Sequence, residues 1–221
     1  MIEQLLNLKD YTPLEQILFA GGCYVWVVVY AIYIKNIHQK KCIGMPVFAA
    51  AGNIAWEFVW GWIPPTTDMG PLLVWAYRIW FIFDLYIFYG VIRYGADQVQ
   101  TPALKKHFRP LIVLTALCWG VIFYFFKKEG FDTPIGATSA YTAQIFISVL
   151  YVVLLLRHPR YVWFSAPVAW LKMIGTGTNT IFMLIHYDIH LLHTLALLCL
   201  VIDNVYIVLF YRARATHAIE G

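Results

Sequence analysis

Charged side chains are scarce in this sequence. Only 13% of its 221 residues are Asp, Glu, Lys or Arg, whereas soluble proteins have roughly 25%. Hydrophobic residues make up 61%, and the mean hydropathy is +0.67. This composition excludes an ordinary soluble domain and predicts an all-α, polytopic membrane protein whose surroundings are the lipid bilayer. In a membrane protein the placement of the charged residues indicates the topology, so the net charge of +4 does not indicate a nucleic-acid partner, and none is expected.

Motifs that hold a metal or build a disulfide framework are also missing. The four cysteines are scattered and show no CxxC spacing, so we interpret them as packing residues. His186, His190 and His193 form one HxxxHxxH cluster. A metal site is chemically possible there, but histidines at the membrane interface are the favoured interpretation. The prediction is therefore no metal and no cofactor.

Long apolar runs are what the sequence does have. Each is close to the length of about 20 residues that a helix needs to cross a bilayer. They predict a single seven-helix transmembrane domain over residues 1–221, with spans at 14–34, 43–62, 72–93, 110–126, 135–156, 162–184 and 190–211.

The basic residues alternate between the two sets of loops. Three lie on one side, Lys9, Lys127 and Lys128. Eleven lie on the other, at positions 35, 40, 41, 93, 105, 106, 109, 157, 160, 212 and 214. Because cytoplasmic loops are enriched in Lys and Arg, the N-terminus is predicted outside or lumenal and the C-terminus cytoplasmic. The membrane would be a bacterial inner membrane or the endoplasmic reticulum.

One face of the second span carries a carboxyl group. Asn53, Trp56, Glu57 and Trp60 follow i, i+3, i+4, i+7 spacing, so they share one helix face. A carboxylate deep in a bilayer costs roughly 2.5 kcal/mol or more on insertion scales, so it normally faces the bundle interior and has a function. Glu57 is the first candidate catalytic residue.

Two further spans have similar faces. The fifth span has Tyr141 and Gln144 on a polar and aromatic stripe, and the last span has Asp203 one turn before Tyr206. We expect these faces to join that of Glu57 around one cavity with apolar walls, two carboxyl groups and many aromatic rings.

Three more ionisable residues lie within predicted spans: Arg78, Asp84 and Lys172. Buried charges that pair with one another and hold the helices in register are one interpretation. A supporting role at the site is the other. The stretch 175–179, Gly-Thr-Gly-Thr-Asn, either breaks the sixth span or allows a close helix approach through small residues, which is favoured.

A carboxyl group in hydrocarbon and indole surroundings has a definite chemical use. Desolvation keeps it protonated at neutral pH, and a neutral carboxylic acid can protonate an epoxide or an alkene. Aromatic faces then stabilise the carbocation by about 0.5–2 kcal/mol per ring, and exclusion of water prevents its early quenching. A lipophilic substrate would reach the cavity from the bilayer.

At these residues the sequence resembles the small seven-helix integral-membrane terpene cyclases of fungal meroterpenoid and indole-diterpene biosynthesis, which have bacterial relatives. The resemblance lies in the span count, in Trp56-Glu57 with Asn53 one turn earlier, and in Asp203 followed by Tyr206. It implies cyclisation of a prenylated or epoxyprenylated small molecule without metal or diphosphate loss. It also implies that Glu57 and Asp203 are the acids that begin the reaction.

Other functional classes fit the sequence less well. The DDxxD and DxDD motifs of soluble terpene cyclases do not occur, and the last span lacks the lysine that a retinal protein needs. A proton-coupled carrier of small solutes, with the intramembrane charges as a relay, is the main alternative. The oligomeric state is not predicted.

Overall fold

The computed structural model describes residues 6–158 and 164–220, with side chains as far as Thr216. Within these ranges the chain is helical and contains no strand. Its long helices are α1 Pro13–Lys40, α2 Val47–Trp62, α3 Pro71–Tyr94, α4 Phe108–Lys128, α5 Ala137–Arg157, α6 Ala166–His186 and α7 His190–Glu220. A 3₁₀ helix, Gly95–Gln98, and a helical turn, Pro102–Lys105, connect α3 to α4.

A long helix lies at each of the seven predicted positions. Residues 162 and 163 of the sixth predicted span, and Arg160 among the loop charges, lie outside the described residues. In the described part of the chain, six helices are long and apolar enough to cross a membrane. The remaining one, α2, has 16 residues, fewer than the ~20 of a typical span, and most of them are buried inside the bundle.

Local sequence signals explain where α1 begins. The Thr12 hydroxyl accepts a hydrogen bond from the Glu15 backbone N–H, and the Glu15 carboxylate accepts one from the Thr12 N–H at 2.6 Å. Pro13 occupies the first helical position, where no N–H is needed. This capping box starts α1 immediately after the residues that cover one end of the bundle.

Six helices form a ring in the order α1, α3, α2, α5, α7, α6 and back to α1. The fourth helix packs against α2 outside this ring, and most of its side chains are exposed. Helices that neighbour each other in the ring are therefore often distant in the chain. This order decides which polar faces meet.

Small residues bring α1 and α6 close together. A Cβ atom added at Gly22 would lie 2.8 Å from the Gly175 carbonyl oxygen and 2.1 Å from Asn179 Oδ1. The sixth helix is continuous through residues 175–179. The glycine-rich stretch thus permits close helix packing, and it does not interrupt the helix.

Candidate active site

A partly open cavity lies inside the ring. Its walls come from α1, α2, α3, α5 and α6 and from the residue Ile135 before α5. Most of its lining is apolar or aromatic. The polar and aromatic side chains in the wall are Phe19, Trp26, Tyr30, Asn53, Trp56, Glu57, Tyr77, Trp80, Tyr141, Gln144, Thr176 and Asn179.

The Glu57 carboxyl group belongs to a buried hydrogen-bond network. The Tyr30 hydroxyl donates to Glu57 Oε1 at 2.5 Å. The Asn53 amide nitrogen reaches Glu57 Oε1 at 3.3 Å, the Tyr30 oxygen at 2.5 Å and Asp84 Oδ2 at 2.9 Å. Glu57 and Asp84 are both 1% exposed. Asn53 therefore joins two buried carboxyl groups from neighbouring helices.

The aromatic rings of the cavity are held in fixed orientations. Trp56 donates its indole N–H to Ser139 Oγ at 2.8 Å, and Tyr77 donates its hydroxyl to the Ile135 carbonyl at 2.7 Å. The Trp56 and Tyr77 rings meet edge to face, with centroids 5.1 Å apart. Because their polar atoms are already bonded, these side chains present ring surface to the cavity.

Asp203 lies in a different place from Glu57. Its Oδ1 pairs with Lys172 Nζ, which also donates to Ser148 Oγ at 3.0 Å and lies 5.3 Å from the Tyr151 ring centroid. Asp203 is not among the cavity-lining residues of the described chain. The structure thus differs from the expectation that both acids share one cavity, because α7 turns Asp203 toward Lys172 of α6.

Some of the other predicted site residues line the cavity, and some lie outside its wall. Asn53, Trp56, Tyr141 and Gln144 line the cavity. The Trp60 ring instead contacts the Lys127 ammonium group, which lies 4.0 Å from the centroid of that ring. Tyr206 packs against Tyr151, with ring centroids 5.3 Å apart. These two aromatic side chains are buried, but they lie outside the cavity wall.

Arg78 forms no ion pair within the described residues, unlike Lys172, which pairs with Asp203. Its side chain is only partly buried, and its Nε donates to the Gly61 carbonyl at 3.0 Å. Its guanidinium carbon lies 4.9 Å from the ring centroids of both Trp62 and Trp75. Arg78 sits near the start of α3, where aromatic residues of the interface can hold it.

A second polar layer covers the end of the bundle where α1 begins. The Tyr11 hydroxyl donates to Asp68 Oδ1 at 2.8 Å and lies 3.2 Å from the Tyr187 hydroxyl. Burial raises the pKa of Tyr187 to about 12. Glu15 Oε1 lies 3.1 Å from His186 Nδ1. Within the described residues, no group of three or more potential ligands is arranged for a metal ion.

The first helix supplies cavity residues that the sequence interpretation missed. Phe19, Trp26 and Tyr30 all line the cavity. Their spacing of seven and then four residues places them on one helix face, so a signal was present. It was hidden because every position of α1 from residue 17 to residue 34 is apolar, aromatic or glycine, and this part of the helix therefore shows no contrast between its faces.

The fold and the site define a multi-pass helical membrane protein with an acidic group in an aromatic cavity. The model of the Pyr4-like transmembrane terpene cyclases matches residues 4–216. The chain belongs to this family.

Curated relatives carry names that agree with this family. The chain is 27% identical over 157 residues to the Pyr4-family terpene cyclase mfmH of Annulohypoxylon moriforme, which covers 67% of this chain and 63% of the relative. It is 29% identical over 111 residues to terpene cyclase ascF of Acremonium egyptiacum, covering 49% and 39%. For terpene cyclase pyr4 of Aspergillus fumigatus the identity is 26% over 92 residues, covering 42% and 37%. The chain spans less than two thirds of each of these relatives. No solved structure matches it.

Proposed function

We propose that this protein is a membrane-embedded terpene cyclase in which Glu57 is the general acid. Membership of the Pyr4-like family supports the reaction class. The observation that supports the acid is the position of Glu57, a buried carboxyl group in the wall of an apolar, aromatic cavity. Such surroundings favour the protonated form of the acid.

The proposed reaction begins when the Glu57 carboxyl group donates its proton to an epoxide oxygen or to an alkene carbon of a prenyl chain. In the epoxide case one C–O bond breaks, and a π bond of the same chain attacks the resulting cation and forms a C–C bond. Loss of a proton from the last cation ends the reaction. That proton balances the one that Glu57 donated, so the product is an isomer of the substrate.

Aromatic rings around the acid suit the positive charge of such a reaction. Trp56, Tyr77 and Trp80 line the same cavity as Glu57. A ring face stabilises a nearby cation by about 0.5–2 kcal/mol. The substrate class we propose is a lipophilic prenylated or epoxyprenylated small molecule that enters from the bilayer, because the cavity offers it mainly apolar surface.

Asp203 has a different proposed role. The resemblance to the family implies a second acid at this position, but the carboxylate pairs with Lys172 outside the cavity wall. We infer that the Lys172–Asp203 pair joins α6 to α7 behind the cavity, and that Glu57 delivers the proton.

Product formation tests this proposal directly. Membranes or nanodiscs containing the protein are incubated with an epoxyprenyl aromatic compound, with chelator present and without an ion gradient, and the products are examined by mass spectrometry. We expect cyclised isomers of unchanged mass. The carrier alternative predicts solute movement without any change in a prenylated substrate, and that result would overturn the cyclase proposal.

A matched pair of variants tests the acid. Glu57→Gln keeps the shape of the side chain but removes its transferable proton, and general acid catalysis contributes about 10²–10⁴-fold. We expect product formation per folded molecule to fall by that factor. Glu129→Gln, at an exposed glutamate after α4, is the control and should leave the rate unchanged. Near-normal turnover by Glu57→Gln would exclude Glu57 as the acid.

A further inference from the structure

The two oxygen atoms of the Glu57 carboxyl group have different surroundings. Oε1 accepts from the Tyr30 hydroxyl at 2.5 Å and lies 3.3 Å from the Asn53 amide nitrogen. Oε2 is buried and has no hydrogen-bond partner among the described residues. A carboxylic acid carries its proton on one oxygen and accepts hydrogen bonds best on the other. The network therefore distinguishes the two oxygens.

Asn53 determines the direction of the hydrogen bonds. Its amide nitrogen can only donate, and it reaches the Tyr30 oxygen at 2.5 Å and Asp84 Oδ2 at 2.9 Å. Since the Tyr30 oxygen accepts from Asn53, the Tyr30 proton is directed to Glu57 Oε1. Asn53 therefore donates to Asp84 and to the Tyr30 hydroxyl, and the Tyr30 hydroxyl in turn donates to Glu57.

We propose that Tyr30 is a positioning residue that assigns the transferable proton of Glu57 to Oε2. This inference rests on the proposed role of Glu57 as the acid. With Oε1 occupied as an acceptor, the proton resides on the oxygen that no protein group engages. Glu57 lines the cavity, and Oε2 is its oxygen atom without a hydrogen-bond partner among the described residues, so in this proposal the Oε2–H group donates the proton to the substrate.

Neighbouring aromatic rings hold the Tyr30 ring in the position from which its hydroxyl reaches Glu57. Its centroid lies 6.3 Å from the Trp26 ring and 6.5 Å from the Trp80 ring, both in edge-to-face geometry. Tyr30 is 3% exposed. Replacement by Phe keeps these ring contacts and removes only the hydroxyl. Tyr30→Phe therefore separates the hydrogen bond from the packing of α1.

Infrared spectroscopy tests the bond without any substrate. The carbonyl stretching band that disappears in Glu57→Gln belongs to protonated Glu57, and loss of the hydrogen bond to Oε1 should move this band to higher frequency in Tyr30→Phe. Tyr33→Phe is the control, because Tyr33 lies one turn further along α1, is equally buried and bonds to Tyr151. The band should not move in that variant. An unmoved band in folded Tyr30→Phe would overturn the inference.

Turnover provides the second readout. A hydrogen bond to a group that becomes charged contributes enough for about a tenfold effect, so Tyr30→Phe should lower kcat about tenfold with little change in KM. A band shift without this loss of kcat would overturn the positioning role. If Tyr30→Phe fails to fold, a fluorinated tyrosine at position 30 retains the ring and is a stronger donor. It should move the band to lower frequency, and no movement would again refute the inference.

These outcomes remain distinct from a failure of the proposed function. If the band moves as expected but the wild-type protein cyclises no prenylated substrate, the hydrogen-bond arrangement stands and the cyclase assignment fails. If no carbonyl band disappears in Glu57→Gln, Glu57 is not protonated, and both the acid assignment and the role of Tyr30 are refuted.

Discussion

Removal of either partner of the Lys172–Asp203 pair should destabilise the protein strongly. The two side chains are each 1% exposed. In the described chain, the one further partner of the ammonium group is the Ser148 hydroxyl at 3.0 Å, apart from the Tyr151 ring face. Asp203→Asn leaves a buried ammonium without a counter-charge, and Lys172→Met leaves a buried carboxylate without one.

The expected loss of stability follows from the burial of both charged groups. Breaking a buried ion pair by removing one partner costs about 3–5 kcal/mol, whereas replacing both partners by apolar groups is often neutral or stabilising. A loss of that size is a large fraction of the free energy of unfolding of a typical domain, which is about 5–15 kcal/mol. Each single variant should therefore be poorly folded. The double variant Lys172→Met/Asp203→Leu should recover most of the lost stability.

Two measurements on the same purified samples check this reasoning. Thermal unfolding in detergent gives the stability, and product formation per folded molecule gives the chemistry. If the pair is structural, the double variant is folded and cyclises the substrate at nearly the wild-type rate. A double variant that is folded but slowed by 10²–10⁴-fold would contradict the purely structural role and show that the pair takes part in the chemistry. Single variants as stable as the wild type would refute the energetic argument.

Two further predictions concern topology and packing. A reporter fused to the C-terminus should be active on the cytoplasmic side, as the eleven-to-three charge asymmetry predicts; activity restricted to the other side would contradict it. Gly136→Ala should lower the free energy of unfolding by about 1–3 kcal/mol, because Gly136 has φ +79° and an added Cβ would lie 2.4 Å from Trp60 Cε2. Gly130→Ala is the control, since Gly130 has φ +74° but open space around it; equal losses in thermal unfolding would exclude the Trp60 contact as the cause.

The sequence by itself determined where the long helices lie and which of their faces are polar. Apolar runs separated by Pro, Gly and basic residues mark the helices, since few other segments can satisfy their backbone groups in a bilayer. Helical spacing alone placed Asn53, Trp56 and Glu57 on one face. In the structure all three line one cavity.

The tertiary structure decided which polar faces meet. Spacing within a helix says which residues share a face, but it does not say which other helix that face opposes. The ring places α3 beside α2, so Glu57 shares Asn53 with Asp84. It places α7 beside α6, so Asp203 pairs with Lys172. These partners are 27 and 31 positions apart in the chain, and only the packing of whole helices brings them together.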